Sequence, residues 1–521
     1  MAVGVVVAAF AIGILGTRDG SDAGPSDPAP GSTSTRAPEP AGPGVTVALP
    51  AHATGRRIPA GFLGLSFEFQ AVRAYTGPNP GAINPVLEQL IRNLSPGQAP
   101  VLRIGGDSTD VSYAPGAEVH PPPYVAYPLT PSWMATTAAL AHELRARMIM
   151  GLNLAANDPA LAAAEARDYV RAMGRGTIEA LEIGNEPNIY GQVTVYHTVF
   201  GVPLHARGRD FGYPAFRDQF AAIARASPKL ALAGPALAVG PTPTNGSWVQ
   251  TMPDFLRRDP RVTTMTVHRY PLRNCYVAPK SAQYPTVAHL LSPYATSGLV
   301  SSLRRWIGIA HAQRRALRVD ELNSVACRGK KGISDTFASS LWSVDALFSL
   351  ANAGVDGVNL HTLPKSAYEL FQFSRSHGRW RSWVRPVYYG LQLFAQATPP
   401  GSRLLALPRL GHRSLLSVWA TRAADGSTRV VLIDKDPNRG ATVTLRPPRG
   451  ASARATLERL TAPGVDSRNG ITLGGRTYGR ETYSGRLAAP RAASLAPAAS
   501  GGYRLTVPRG SAALVTFAPA R

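Results

Sequence analysis

A chain of 521 residues is too long for one ordinary domain and long enough for a substantial core, so a large body with at least one accessory unit is expected. Its 44% hydrophobic and 17% charged residues exclude a disordered body, while 50 Gly and 46 Pro predict many loops. The formal net charge of +23 comes from 55 Lys and Arg scattered along the chain without a recognised nucleic-acid-binding fold, so no nucleic-acid partner is expected; the charge suits an acidic polysaccharide or a cell surface, or reflects an Arg-biased composition alone.

From the N-terminus, residues 1–16 contain an apolar run, Val3 to Leu15. It is shorter than the roughly 20 residues needed to span a bilayer and is similar to the apolar region of an export signal. No basic segment precedes it, so either the true start lies upstream or the signal is a weak one, and a short membrane anchor stands as the alternative. A tether rich in Pro, Ser, Gly and Thr follows over 17–44. A secreted or extracellular protein is expected, with or without an N-terminal anchor.

Between 45 and 400, short apolar runs alternate with segments of helical spacing. Eight candidate strands are Phe62 to Phe69, Val101 to Gly105, Met148 to Leu152, Ala180 to Asn185, Leu230 to Gly234, Val262 to His268, Leu317 to Asp320 and Gly357 to His361. Trp133 to Arg145 and Pro159 to Met173 have helical composition, with Pro near their starts. Eight βα units predict an α/β fold, a (β/α)8 TIM barrel, in which functional residues gather at the C-terminal ends of the strands. From 401 to 521 the pattern changes to alternating stretches such as LLSVWATR and TRVVLIDKD divided by turn residues, which predicts a β-sandwich. The stretch 45–50 (VTVAL and the Pro after it) is a candidate extra strand of that module.

Cys275 and Cys327 are the only cysteines. They fit one disulfide in an oxidising compartment or two unpaired thiols, and with no neighbouring Cys or paired His they form no structural metal motif. Neither a metal nor a cofactor is expected. Both cysteines follow predicted strands, six and seven, so they are a disulfide candidate at one barrel face. Such a bridge would fix the basic residues Arg328, Lys330 and Lys331 beside the seventh strand.

LEIGNEPN places Glu186 just after an apolar strand, and LRVDELNS does the same for Glu321. Two carboxyls at the mouths of separate barrel strands can face one another. Glycosidic cleavage needs such a pair, about 5 Å apart for retention and roughly 6.5–9.5 Å apart for inversion. Asn-Glu-Pro after the fourth strand with a Glu after the seventh resembles the clan of TIM-barrel retaining glycosidases. GLSFEF (64–69), RIGGDSTD (103–110), LEIGNEPN (181–188), VDELNSVACRG (319–329) and LTAPGVDSRNGITLGG (460–475) narrow the resemblance to glycoside hydrolase family 79, the β-glucuronidase and heparanase-like enzymes.

The resemblance implies Glu186 as acid/base, Glu321 as nucleophile and Asn185 as the ligand of the sugar 2-hydroxyl. It also implies that Tyr270 orients the nucleophile, though packing at the barrel rim is its alternative. Asp107 would bind a sugar hydroxyl, or else it or Ser108 caps a helix. Tyr368, in HTLPKSAYELFQF, is the choice for the sugar carboxylate. Lys365 would add charge unless it is a solvated loop residue, and His361 would line the pocket unless it is a hydrogen-bonded rim residue. The expected activity is hydrolysis of β-linked glucuronic acid from a glycoside or acidic polysaccharide. The alternatives are endo-cleavage of a heparan-like chain, another sugar such as arabinofuranose, or noncatalytic binding of anionic glycans.

Overall fold

The computed structural model describes residues 44–519, apart from 117–119, 193, 198–201, 242–247, 409, 411–414, 448–454, 489–491 and 499–500. The expected export segment (1–16) and all of the tether but Gly44 lie outside the described residues.

Eight strands close into a barrel: Leu63–Glu68, Val101–Gly105, Arg147–Leu152, Ile178–Ile183, Leu232–Ala238, Val262–His268, Ala316–Leu322 and Gly357–Thr362. Every neighbouring pair is parallel. Parallel strands covered by helices are buried on both faces, which is why they read as continuous apolar runs. The helix Pro159–Met173 starts where Asp158 accepts hydrogen bonds from the N–H groups of Ala160 and Leu161, with Pro159 in its first turn. The seventh strand runs past Asp320 to Leu322, so Glu321 lies inside the strand rather than after it.

The barrel interior departs from the usual filling of Val, Ile and Leu. Side chains alternate across a strand, and the inward positions carry Ser66, Arg103, Glu182, Thr266, His268, Asp320, Asn359 and His361, all fully or almost fully buried. A polar interior of this kind survives only if its groups pair with one another.

The C-terminal module packs a three-stranded sheet against a seven-stranded one around its own apolar core. Val45–Ala48 belongs to the smaller sheet, pairing in parallel with Ala441–Arg446. The buried helix Phe337–Ala353 joins this module to the barrel. Its Asp345 accepts from Lys435 Nζ (2.6 Å), Trp419 Nε1 (2.8 Å) and Ser417 Oγ (3.0 Å). Residues of the LTAPGVDSRNG stretch satisfy the helix start, where the N–H groups of Phe337 and Ala338 donate to Ser467 and Val465.

The neighbouring helix Pro386–Ala397 presses on Phe337–Ala353 at Gly390, where an added Cβ would collide with the Ser340 carbonyl and Ser343 Oγ. Gly390→Ala should therefore lower stability by about 1–3 kcal/mol, read as an earlier midpoint in urea unfolding at unchanged slope.

Candidate active site

The site is built around Arg103, fully buried in the second barrel strand. Its Nε donates to Glu182 (2.6 Å) and lies 3.3 Å from Asp320, one terminal nitrogen donates to Glu321 (3.0 Å) and Ser66 Oγ (3.2 Å), and the other donates to Asn185 Oδ1 (3.0 Å). Asp320 and Glu321 are consecutive, so a regular strand would turn them to opposite faces. A register shift on both sides of the seventh strand at this point brings both carboxyls to the same guanidinium.

Burial alone would protonate Glu321, but the charges of His361, His268 and Arg103 and the hydrogen bond from Tyr270 outweigh it and hold this carboxyl well below its usual range. Tyr270 Oη donates to Glu321 at 2.8 Å. Beneath it, burial and the charge of Glu182 raise Asp320 well above normal, while Arg103 keeps Glu182 low against the same burial. Burial thus disfavours charge on Asp320, whereas the guanidinium favours it on Glu182.

Glu186 follows the fourth strand in a left-handed conformation (φ 52°), held by its N–H donating to the Ala236 carbonyl at 2.9 Å. A non-glycine residue persists there only when its surroundings fix it. His268 Nδ1 lies 3.0 Å from Glu186 and 3.8 Å from Glu321, and its Nε2 lies 3.5 Å from Asp320. The nearest side-chain donor atoms of Glu186, His268 and Glu321 are within 4.8 Å of one another. A cation could span that distance, but Arg103 already supplies permanent positive charge to Glu321.

Asn185 has its amide oriented by Arg103 and donates through Nδ2 to Asp107 at 3.3 Å. The helical turn Asp107–Val111 has no side-chain cap of its own; Glu68, at the end of the first strand, accepts from the N–H groups of Asp107 (3.2 Å) and Ser108 (2.8 Å). Gly106, at φ 85°, makes this possible, since a Cβ there would strike the Glu68 carboxylate. Glu68 thus replaces Asp107 as the cap of this turn, while Ser108 Oγ accepts from the Phe69 N–H at the start of the helix Phe69–Thr76 (2.8 Å) and Asp107 opens into the cleft. Loss of bulk water there, followed by the charges of Glu68, Glu186 and Glu321, raises Asp107 well above normal.

His361 Nδ1 is 3.0 Å from Ser66 Oγ and 3.8 Å from Glu321, and its Nε2 is 3.6 Å from Glu68. Burial works against a proton on His361, yet Glu321 and Glu68 raise it above its ordinary value. Tyr368 is 4% exposed, its ring centroid 5.9 Å from His361 and 6.3 Å from Tyr270, so it joins the site as a wall. Lys365 has an exposed side chain at φ 65°, and its backbone N–H donates to Glu369. Cys275 and Cys327 form a disulfide, so the alternative of two free thiols is excluded.

Sequence reading singles out neither Arg103, Glu68, Glu182 nor His268, nor Asp320 beside the nucleophile candidate. Their signal is a charged residue at an inward position of an otherwise apolar strand, visible only once the inward parity is known.

Residues 418–514 match the glycosyl hydrolase family 79 C-terminal beta domain. The chain is 22% identical to a β-glucuronidase of Neurospora crassa over 82% of this chain and 86% of that protein. Among solved structures it is similar to a 4-O-α-L-rhamnosyl-β-D-glucuronidase from Fusarium oxysporum 12S, with a TM-score of 0.70 and 20% identity over 91% of this chain and 100% of that one. A family 51 arabinofuranosidase from Xanthomonas axonopodis pv. citri shares the fold at a TM-score of 0.63 and 14% identity, over 91% and 99% of the two chains.

Proposed function

We infer that this chain, which belongs to glycosyl hydrolase family 79, is a retaining β-glucuronidase that works by double displacement. The observation that carries the mechanism is the placement of Glu186 and Glu321, whose nearest oxygens lie within 4.8 Å. Oxygens that close favour direct attack of one carboxylate on the sugar, as in a retaining enzyme.

The two carboxyls have different surroundings, and the difference assigns their roles. Glu321 is held ionised by cations and by Tyr270, as a nucleophile requires. In the first step its carboxylate bonds to the anomeric carbon while the glycosidic C–O bond breaks and Glu186 gives its proton to the departing oxygen. In the second step Glu186 takes a proton from water, whose oxygen displaces Glu321 and restores both groups. Asn185, fixed by Arg103, is positioned for the sugar 2-hydroxyl, where a hydrogen bond strengthens as positive charge develops on the ring.

The glucuronide assignment is supported by the N. crassa relative and by Tyr368 at the cleft wall, where the sugar C5 substituent is expected. The reading includes export, supported by the apolar run Val3 to Leu15 ahead of the tether.

The test is turnover of an aryl β-glucuronide beside an aryl arabinofuranoside, with the first product anomer recorded by NMR. Glucuronide cleavage with β-glucuronic acid formed first is expected. Arabinoside-only turnover overturns the substrate, and α-glucuronic acid first overturns the mechanism. Tyr270→Phe should lower kcat by roughly ten- to a hundredfold, the worth of one hydrogen bond to a charged group, with KM little changed. Loss of that bond raises Glu321, so the acidic limb of the pH–kcat/KM profile should move to higher pH.

A further inference from the structure

The loops after the sixth and seventh barrel strands are zipped together at the mouth of the site. Leu272 and Arg273 pair in parallel with Val325 and Ala326, the Asn274 N–H donates to the Ala326 carbonyl at 3.2 Å, and the disulfide closes the ladder with its Cα atoms 6.0 Å apart. Immediately after it the backbone is left-handed at three successive residues, Cys327 (φ 62°), Arg328 (φ 67°) and Gly329 (φ 75°). Only the third is a glycine, so the other two hold this conformation because their surroundings impose it.

This turn touches the Tyr368 loop directly. The Arg328 carbonyl accepts from the Ala367 N–H at 2.9 Å, and Gly329 sits so close that an added Cβ would lie 2.8 Å from the Tyr368 nitrogen. Asn274 Nδ2 donates to the Gly329 carbonyl at 3.3 Å, tying the third residue of the turn back to the sixth-strand loop. Arg328 is exposed at the rim and forms no ion pair among the described residues. Its charge is close enough to act on the buried Tyr368 hydroxyl, the group taken to meet a substrate carboxylate.

We propose that the Cys275–Cys327 disulfide is a specificity clamp: it holds the left-handed Cys327–Gly329 turn, and through that turn sets Tyr368 and Arg328 for a carboxylate-bearing sugar. The proposal rests on the glucuronidase reading and adds to it the element that positions the recognition rim. The cysteines are positioning residues and touch no reacting atom. Without the bridge, Cys327 and Arg328 relax toward negative φ. The Arg328 carbonyl then rotates away from Ala367, and Tyr368 loses its backing while Glu186, Glu321 and Arg103 stay in the barrel strands.

The experiment is a comparison of kcat and KM for an aryl β-glucuronide in the oxidised enzyme, the same folded enzyme reduced by a phosphine, and Cys275→Ser/Cys327→Ser. Cys327 is exposed, so the bond is open to reductant. Reduction is expected to raise KM by roughly tenfold or more with kcat kept within about threefold, and reoxidation restores KM. Gly329→Ala, which leaves the disulfide intact but pushes on Tyr368, should raise KM in the same way. An unchanged KM in the reduced enzyme, or a fall confined to kcat, overturns the clamp. An oxidised enzyme with no glucuronide turnover overturns the functional reading itself, and the clamp with it.

Discussion

Glu321→Gln is expected to reduce turnover of an aryl β-glucuronide by on the order of ten-thousandfold or more, as loss of a covalent nucleophile does in other enzymes. The carboxamide is neutral and a poor nucleophile, but its oxygen can still accept the Tyr270 hydrogen bond that Glu321 accepts at 2.8 Å. Fold and substrate binding should therefore be retained, and calorimetric titration with the glucuronide should give a Kd close to the parental KM. Turnover at the parental rate would remove Glu321 from the nucleophile role.

Glu186→Gln gives a contrasting result that separates the two roles. A dinitrophenyl glucuronide has a leaving group that departs without protonation, so its first step should survive while the second, which needs a base, slows. The variant should release a burst of dinitrophenol and then stall. A variant equally slow in both steps would contradict the acid/base assignment.

Arg103→Met is expected to be the most destabilising substitution in the barrel, by about 3–5 kcal/mol, because removing one member of a buried ionic cluster strands the others. Glu182 and Asp320 are fully buried beside it, and Glu321 nearly so. In the parent, Arg103 is the main charge holding Glu182 below its usual value, and it adds to His361 and His268 in holding Glu321 down. Carboxyls with depressed folded-state pKa values contribute stability that is present above their unfolded values, about 4.3 for Glu, and lost as pH falls through the folded ones.

Without the guanidinium, burial drives Glu182 upward and the sign reverses for it, whereas Glu321 keeps the influence of His361, His268 and Tyr270. The Glu182 penalty then appears as pH rises through its new folded value. The gap between parent and variant should accordingly be widest near neutral pH and shrink in acid. Urea titrations at neutral and acidic pH check this, and a gap independent of pH would mean that Arg103 acts through packing alone. Activity should fall as well, since Arg103 also orients Asn185.

These three predictions draw on features that differ in how openly the chain displays them. Glu186 and Glu321 are legible because a strand end followed by Asn-Glu-Pro, or a Glu closing an apolar run, is a local pattern. Tyr270 and Asn185 lie within a few residues of strand ends, and the family resemblance is what implies their roles. Arg103 is not, although it stands inside the same RIGGDSTD stretch as Asp107. Nothing local says that its partners are Glu182, 79 residues on, and Glu321, 218 residues on. The sixth strand likewise ends in His268, whose position between Glu186 and Glu321 depends on how three strands align.

By itself the sequence determined eight βα units followed by a β-module, and two carboxyls at the mouth of the strands, because hydrophobic period and turn chemistry act over a few residues. Tertiary structure alone decided that Asp320 and Glu321 both face Arg103, that Glu68 rather than Asp107 caps the loop, and that a disulfide-bound turn backs Tyr368. Those outcomes depend on strand register and bulges across the closed barrel, where inward side chains meet partners that chain spacing does not specify.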